Sequence, residues 1–352
     1  MPSKSLKNSR RFTSFGILFG LLGLLLFVYF VRKAGVEQVE DGIKRLGYGF
    51  ALILIISSVR HIVRSLAWIK CVQQPYRLRF RDALAARLIG DALGNLIPIA
   101  SVALSEPSKA FFVRHRLPTV IAFSGLAIEN IFYGFSVCLF IFAGTAALLL
   151  KYSVPKALGY AGIGALLVTF GSIWVLLFLL NARVRFISRF VSLIARFNLT
   201  RGLERNIVWA ESLEDRIFEF HHRGKKNLLG IFILEMLFHV AGVAEIFTTL
   251  NFISPIHPTL VVAFILESFN RVINVAFKFI PLRTGVDEAG TGMLAKVLGL
   301  ATATGVTLAI IRKGRDIFWA GVGVLLLFAR GFTWKQATSG GERETEELID
   351  QI

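Results

Sequence analysis

The stretch GNLIPIASVALSEPSKAFFVR, residues 94–114, decides the fold. Most of it is apolar, yet Pro98 interrupts it and Glu106-Pro107-Ser108-Lys109 closes it. A segment that merely crosses hydrocarbon has no partner for the backbone groups freed at such breaks. Its flanks carry the second clue. Lys70, Arg77, Arg79, Arg81 and Arg87 precede it, opposed only by Asp82, and Lys109, Arg114 and Arg116 close it. Clustered Lys and Arg mark the cytoplasmic side of a span. Both flanks are therefore expected on one face, so the chain must turn back inside the membrane. The reading is a re-entrant hairpin over about 82–116 that breaks near Pro98.

The rest of the chain fits a membrane setting. Of 352 residues, 55% are hydrophobic, and several apolar runs reach the roughly 20 residues needed to cross about 30 Å of hydrocarbon. The formal net charge of +17 sits mainly in short segments between these runs, where it orients helices, so nucleic acid is excluded as a partner. Spans are expected at about 12–31, 48–70, 118–150, 157–180 and 227–250, with a final long helix ending near 331. The first is preceded by Lys4, Lys7, Arg10 and Arg11, which puts the N-terminus in the cytoplasm. It is long for a signal peptide and lacks a small-residue cleavage site, so it reads as an uncleaved helix. A segment with ten basic and five acidic residues, 181–226, reads as cytoplasmic, and 336–352 as an acidic tail. The fold class is all-α: a polytopic membrane protein of about six transmembrane helices plus two re-entrant hairpins, in one unit over 1–335.

The second hairpin is expected in FILESFNRVINVAFKFIPLRTGVDEAGTGMLAKVLGL, residues 264–300, with Pro281 and Gly285 as its break. Glu106 follows Pro98 by eight residues and Glu288 follows Pro281 by seven. Downstream, NIFYGFSVCLFIFAG (130–144) aligns with DIFWAGVGVLLLFAR (316–330), aromatic, small and aliphatic positions in step. Chance likeness of apolar segments is the competing explanation. Taken as a duplication, about 48–150 and 227–331 are repeats of opposite orientation. Inverted repeats with Pro/Gly-interrupted segments point to alternating access, with a site between the breaks. The cluster RKGRD, 312–316, then lies inside the final helix; read as a loop instead, it would split that helix in two.

Charges inside hydrocarbon cost about 2.5–3.5 kcal/mol each on insertion scales, so they face a polar interior and pair there. Arg60 and Arg64, Asp91, Asn95, Glu106, Lys109 and Glu129 are the candidates in the first half. Glu267, Arg271, Asn274, Lys278, Arg283, Asp287, Glu288, Arg312 and Arg315 are those in the second. Two readings stay open. One is a self-neutralising network, with Arg64 snorkelling and Glu267 pairing Arg271 at i,i+4. The other is a site for an anionic headgroup held by Lys109, Arg283, Arg312 and Arg315, with Glu106, Glu129 and Glu288 positioning those cations or receiving an amine. Glu235 and His239 lie one helical turn apart without a third ligand at useful spacing, so they read as structural or proton-handling and no metal is expected. Cys71 and Cys138 support neither a disulfide framework nor a thiol site, and no motif for a cofactor, nucleotide or hydrolytic nucleophile occurs.

At these residues the chain resembles the transmembrane region of lysylphosphatidylglycerol synthases, a flippase-like bacterial family. The likeness rests on RSLAW (64–68), Asn95 and Pro98 with Glu106 and Lys109, AIEN (127–130) and FIPLRTGVDEA (279–289). The gap in the family's first motif is about three residues longer here, with Ser105 and Lys109 at its usual glycine and arginine; IIRKGRDIFW (310–319) looks most like the hopanoid-associated branch. The resemblance implies a bacterial inner-membrane protein that moves a polar or anionic lipid between leaflets. Its partners would be membrane lipids, with lipid-biosynthesis enzymes or a second copy of the chain as further candidates. Family members that synthesise the lipid carry an additional soluble aminoacyltransferase domain, so translocation without synthesis is the expectation. A lipid-modifying enzyme with Glu106 or Glu288 as base, and an accessory scaffold, are the rival expectations.

Overall fold

A computed structural model of the chain describes residues 35–96, 101–183, 203–223, 225–278 and 280–329, with short pieces at 28–29, 31–32, 185, 188–189 and 192. The expected first span, Pro98 and the acidic tail lie outside the described residues, apart from 28–29 and 31 of the span. Among the described residues the regular structure is helical throughout. In chain order the helices are α1 Val36–Leu46, α2 Gly49–Cys71, α3 Phe80–Leu96, α4 Ser101–Phe112, α5 Thr119–Lys151 and α6 Lys156–Asn181. There follow α7 Leu203–Arg223, α8 Lys225–Ile253, α9 Leu260–Ala276, a 3-10 turn Pro281–Arg283, α10 Val286–Val297 and α11 Thr302–Ala329.

Four of these have the length and apolar content to cross a membrane: Gly49–Cys71, Thr119–Lys151, Lys156–Val175 and Leu228–Ile253. On α6, Leu167, Val168, Phe170, Trp174 and Phe178 are all exposed, as a lipid-facing surface requires. This is an integral membrane protein. The 28-residue α11 runs unbroken through RKGRD, whose charges dilute an otherwise apolar helix. α1 is amphipathic: Val39, Gly42 and Leu46 are buried, and Glu40 and Lys44 pair at 2.7 Å on its exposed side.

The two broken segments are helical hairpins. In the first, α3 and α4 lie side by side, and Asp82 near its start meets Arg116 just past its end at 3.3 Å. The mouth packs with Trp68 of α2, with Leu117 just ahead of α5 and with Ala122 and Leu126 of α5, while Trp68 Nε1 donates to the Ala122 carbonyl at 3.4 Å. Trp68 is thus fully buried and ties α2 to α5. In the second hairpin, Val262 and Ala263 near the start of α9 meet Leu298 and Leu300 beyond α10. That mouth packs with Ile53 near the beginning of α2 and Leu148 near the end of α5. The hairpins therefore open at opposite ends of α2 and α5.

Each half also reaches into the other. The first arm α3 packs on α11, and the first arm α9 packs on α5. Small residues permit both crossings: Gly323 of α11 rests on the Leu88 carbonyl of α3, and Gly144 of α5 on the Ser268 side chain of α9. At the second tip the backbone leaves the helical region. Leu282 and Arg283 take φ of 47° and 52°, uncommon for residues with a side chain, and Gly285 takes 84°, which glycine adopts without penalty.

Candidate functional site

Between the two hairpins a cavity of about 680 Å³ opens among α2, α3, α4, α5, α9 and α11. Its wall carries nine Arg and Lys side chains against four Asp and Glu side chains. Burial alone would neutralise or exclude such a set, so each cation must be held by an anion or a dipole. The holders stand mostly in a second row.

On the first-half side, Lys109 Nζ bridges Asp91 and Glu106, each at 2.8 Å. Glu106 also accepts from Asn130 Nδ2 at 3.1 Å, and Asn130 Oδ1 accepts from Arg64 at 3.2 Å. Arg64 donates to Glu129 Oε1 at 2.7 Å and lies over the Tyr133 ring at 3.9 Å. Arg87 donates to the same Glu129 oxygen and to the Arg64 carbonyl, both at 3.1 Å. Read along the chain, Arg87 was grouped with the basic cytoplasmic flank; it is instead 1% exposed inside the bundle, and three helices converge on Glu129 because of it.

The second-half side has the same construction. Arg283 meets Asp316 at 3.2 Å and Asp287 at 3.7 Å. Arg315 binds Asp316 at 2.7 Å and also Glu245. Arg312 donates to Thr291 Oγ1 at 2.6 Å. Glu288 accepts the backbone N–H of Gly285 at 2.8 Å and holds Lys313, fixing the turn after Pro281 to the final helix. Arg60 joins the halves, contacting Glu245 at 3.3 Å and Glu267 at 3.8 Å, while Glu267 pairs with Arg271 one turn along α9.

Among the residues singled out from sequence, Arg64, Glu106, Lys109, Arg271, Arg283, Arg312 and Arg315 line the cavity, as do Arg60, Asp91, Asn274, Lys278 and Asp287. Glu129 and Glu288 are fully buried behind it. The Asn95 side chain lies outside the described residues, although its neighbour Gly94 is in the wall. Sequence reasoning missed Glu245 and Lys313. Glu245 is an acid deep in an apolar helix, the same signal that marked the others. Among the described residues no group of three or more His, Cys, Asp or Glu is placed to hold a metal. His239 instead bonds Ser136 Oγ at 3.0 Å and stacks on Phe140 at 4.5 Å.

The arrangement can bind an anion. Arg87 Nε and Nη1, Arg271 Nε, and Arg312 Nε and Nη1 are buried and meet no acceptor within the protein, and all three residues face the cavity. Buried N–H groups without acceptors are costly unless something fills that role. Phosphate oxygens fit such donors well.

Fold and site together define a polytopic helical membrane protein with a cation-lined internal chamber. Residues 14–324 match the model of the lysylphosphatidylglycerol synthase TM region, and the chain belongs to that family, whose members handle or synthesise membrane lipids. No curated protein and no solved structure matches it.

Proposed function

We propose that this protein translocates a lipid with an anionic polar headgroup between membrane leaflets, without altering it chemically. The observation that carries the reading is the chamber of nine cations and four acids between the two hairpins, in which Arg87, Arg271 and Arg312 each keep guanidinium N–H groups without an acceptor. The volume lies within the roughly 300–1,000 Å³ typical of small-molecule sites. A headgroup would enter it while the acyl chains stay in the bilayer.

On this reading the hairpins are re-entrant and the halves, 48–150 and 227–331, are inverted repeats that rock about the chamber. The mouth of the first hairpin, with Arg77, Arg79, Arg81, Arg114 and Arg116, faces the cytoplasm, and so does the N-terminus. The setting is the bacterial inner membrane. A link to hopanoid or other envelope-lipid biosynthesis is part of the proposal, carried by the IIRKGRDIFW resemblance.

The test is reconstitution of the purified protein in phosphatidylcholine vesicles containing fluorescent phosphatidylglycerol. A membrane-impermeant quencher should reach the inner-leaflet label only when protein is present, and the recovered lipid should be unchanged. A converted lipid would replace this reading with that of an enzyme. Neither transfer nor conversion would leave a scaffold.

A further inference from the structure

Glu235 of α8 is fully buried behind the cavity wall, and neither of its carboxyl oxygens has a hydrogen-bond donor. It faces Glu129 within hydrogen-bonding reach, and Glu129 Oε2 also lacks a donor. Arg64 and Arg87 both donate to the other Glu129 oxygen, Oε1. Arg64 Nε stands 3.8 Å from Glu235 Oε2, beyond hydrogen-bond range but within reach of a small rotation. A buried carboxylate that accepts nothing is costly, and two facing carboxyl groups satisfy each other only when one carries the proton.

The surroundings are as follows. α2 presents Arg64 and Cys71 and, near Gly230, Lys70; α3 presents Arg87; α5 presents Glu129 and Tyr133. His239 is one turn along α8, with Glu267 and Arg271 of α9 beyond it. α7 meets this end of α8 with Leu213, Ile217 and Phe220.

We infer that Glu235 and Glu129 share one exchangeable proton, and that its binding is coupled to binding of an anionic headgroup in the cavity. With the proton in place, Glu235 is neutral and Arg64 keeps a face toward the cavity, whose wall it forms. When the proton leaves, the O–H···O bond to Glu129 is lost and Glu235 becomes a carboxylate. Arg64 then turns to it and is withdrawn from the headgroup. Anion and proton therefore bind together, and by linkage each raises the affinity for the other. In a membrane with a proton gradient, this gives lipid movement a direction. The inference rests on the headgroup reading above and adds a coupling site to it.

The experiment is calorimetric titration of the purified full chain in detergent with dihexanoyl phosphatidylglycerol, whose phosphodiester does not titrate between about pH 5 and about pH 8. Buffers of different ionisation enthalpy give the protons taken up per lipid bound. Wild type should take up a proton on binding, with affinity rising toward low pH by at most about tenfold per pH unit, the limit for one coupled proton. Glu235→Gln should bind the lipid with a pH-independent affinity and no uptake. Wild-type binding without proton uptake overturns the coupling and leaves the headgroup reading intact. Uptake that persists in Glu235→Gln overturns the assignment and moves it to His61, which stands 3.9 Å from Asp91 in the cavity wall. No binding by wild type at any pH removes the headgroup reading, and this inference with it. The wild-type measurement decides the coupling even if Glu235→Gln fails to fold, and His61→Gln, which should keep the uptake, then tests the assignment.

Discussion

Arg64 of α2 and Glu129 of α5, 65 residues apart in sequence, meet at 2.7 Å inside the bundle. Glu245 of α8 and Arg315 of α11 form the corresponding pair of the second half with the charges exchanged. In each half the first long helix is thus tied to the last by an ion pair beside the cavity. Glu129→Ala would leave both Arg64 and Arg87 without their shared carboxylate. Truncating one member of a buried pair costs about 3–5 kcal/mol. The variant should therefore melt at a clearly lower temperature in detergent, with Glu129→Gln intermediate. A melting curve unchanged by Glu129→Ala would show that the network does not hold the helices together.

Lys278 offers a cleaner probe of the electrostatics, because it lines the cavity near the second tip yet is exposed. Lys278→Glu changes the charge of the wall without removing a buried partner. Transfer of fluorescent phosphatidylglycerol should slow by about tenfold, equivalent to about 1.4 kcal/mol, with thermal stability unchanged. Transfer of a zwitterionic phosphatidylcholine label should fall less. Equal loss for both lipids would deny the chamber its charge selectivity.

Gly90 tests the first hairpin. A β-carbon there would lie 2.5 Å from Lys109 Cγ and 2.8 Å from the Ser105 carbonyl, so α3 and α4 could not keep their spacing. Gly90→Ala should destabilise the protein by about 1–3 kcal/mol, the usual cost of overpacking, and should disturb the Lys109 bridge to Asp91 and Glu106. Gly134→Ala, where nothing lies within 4 Å of the added carbon, is the control and should be neutral. Equal melting temperatures for both variants would contradict the close contact of α3 with α4.

Much of this was legible in the sequence because hydrocarbon makes few exceptions. The Pro/Gly break at 281–285 and the basic flanks of the first segment mark the two helical hairpins in the sequence, while Pro98 itself lies outside the described residues. The expected limits of 82 and 116 turned out to be ion-pair partners. The acids and bases inside apolar runs marked the cavity wall. What flank counting could not see is which basic residue lies inside. Arg87 lies six residues beyond the basic group of Arg77, Arg79 and Arg81, and only the packing of α3 against α2 and α5 draws it to Glu129. The RKGRD cluster was ambiguous for a related reason. Four charges in five residues read equally as a loop or as a helix face, until Glu245, Glu288 and Thr291 supply their partners.

The central claim is that the two hairpins enter the membrane from opposite sides and meet at the chamber. With Cys71 and Cys138 replaced by alanine, single cysteines at Arg114 and Ile256 can be labelled with a membrane-impermeant maleimide in vesicles of known orientation. Arg114 lies just beyond the first hairpin, and Ile256 just ahead of the second. The account predicts that the two positions react from opposite faces, Arg114→Cys from the cytoplasmic one. Reaction of both from the same face would contradict it.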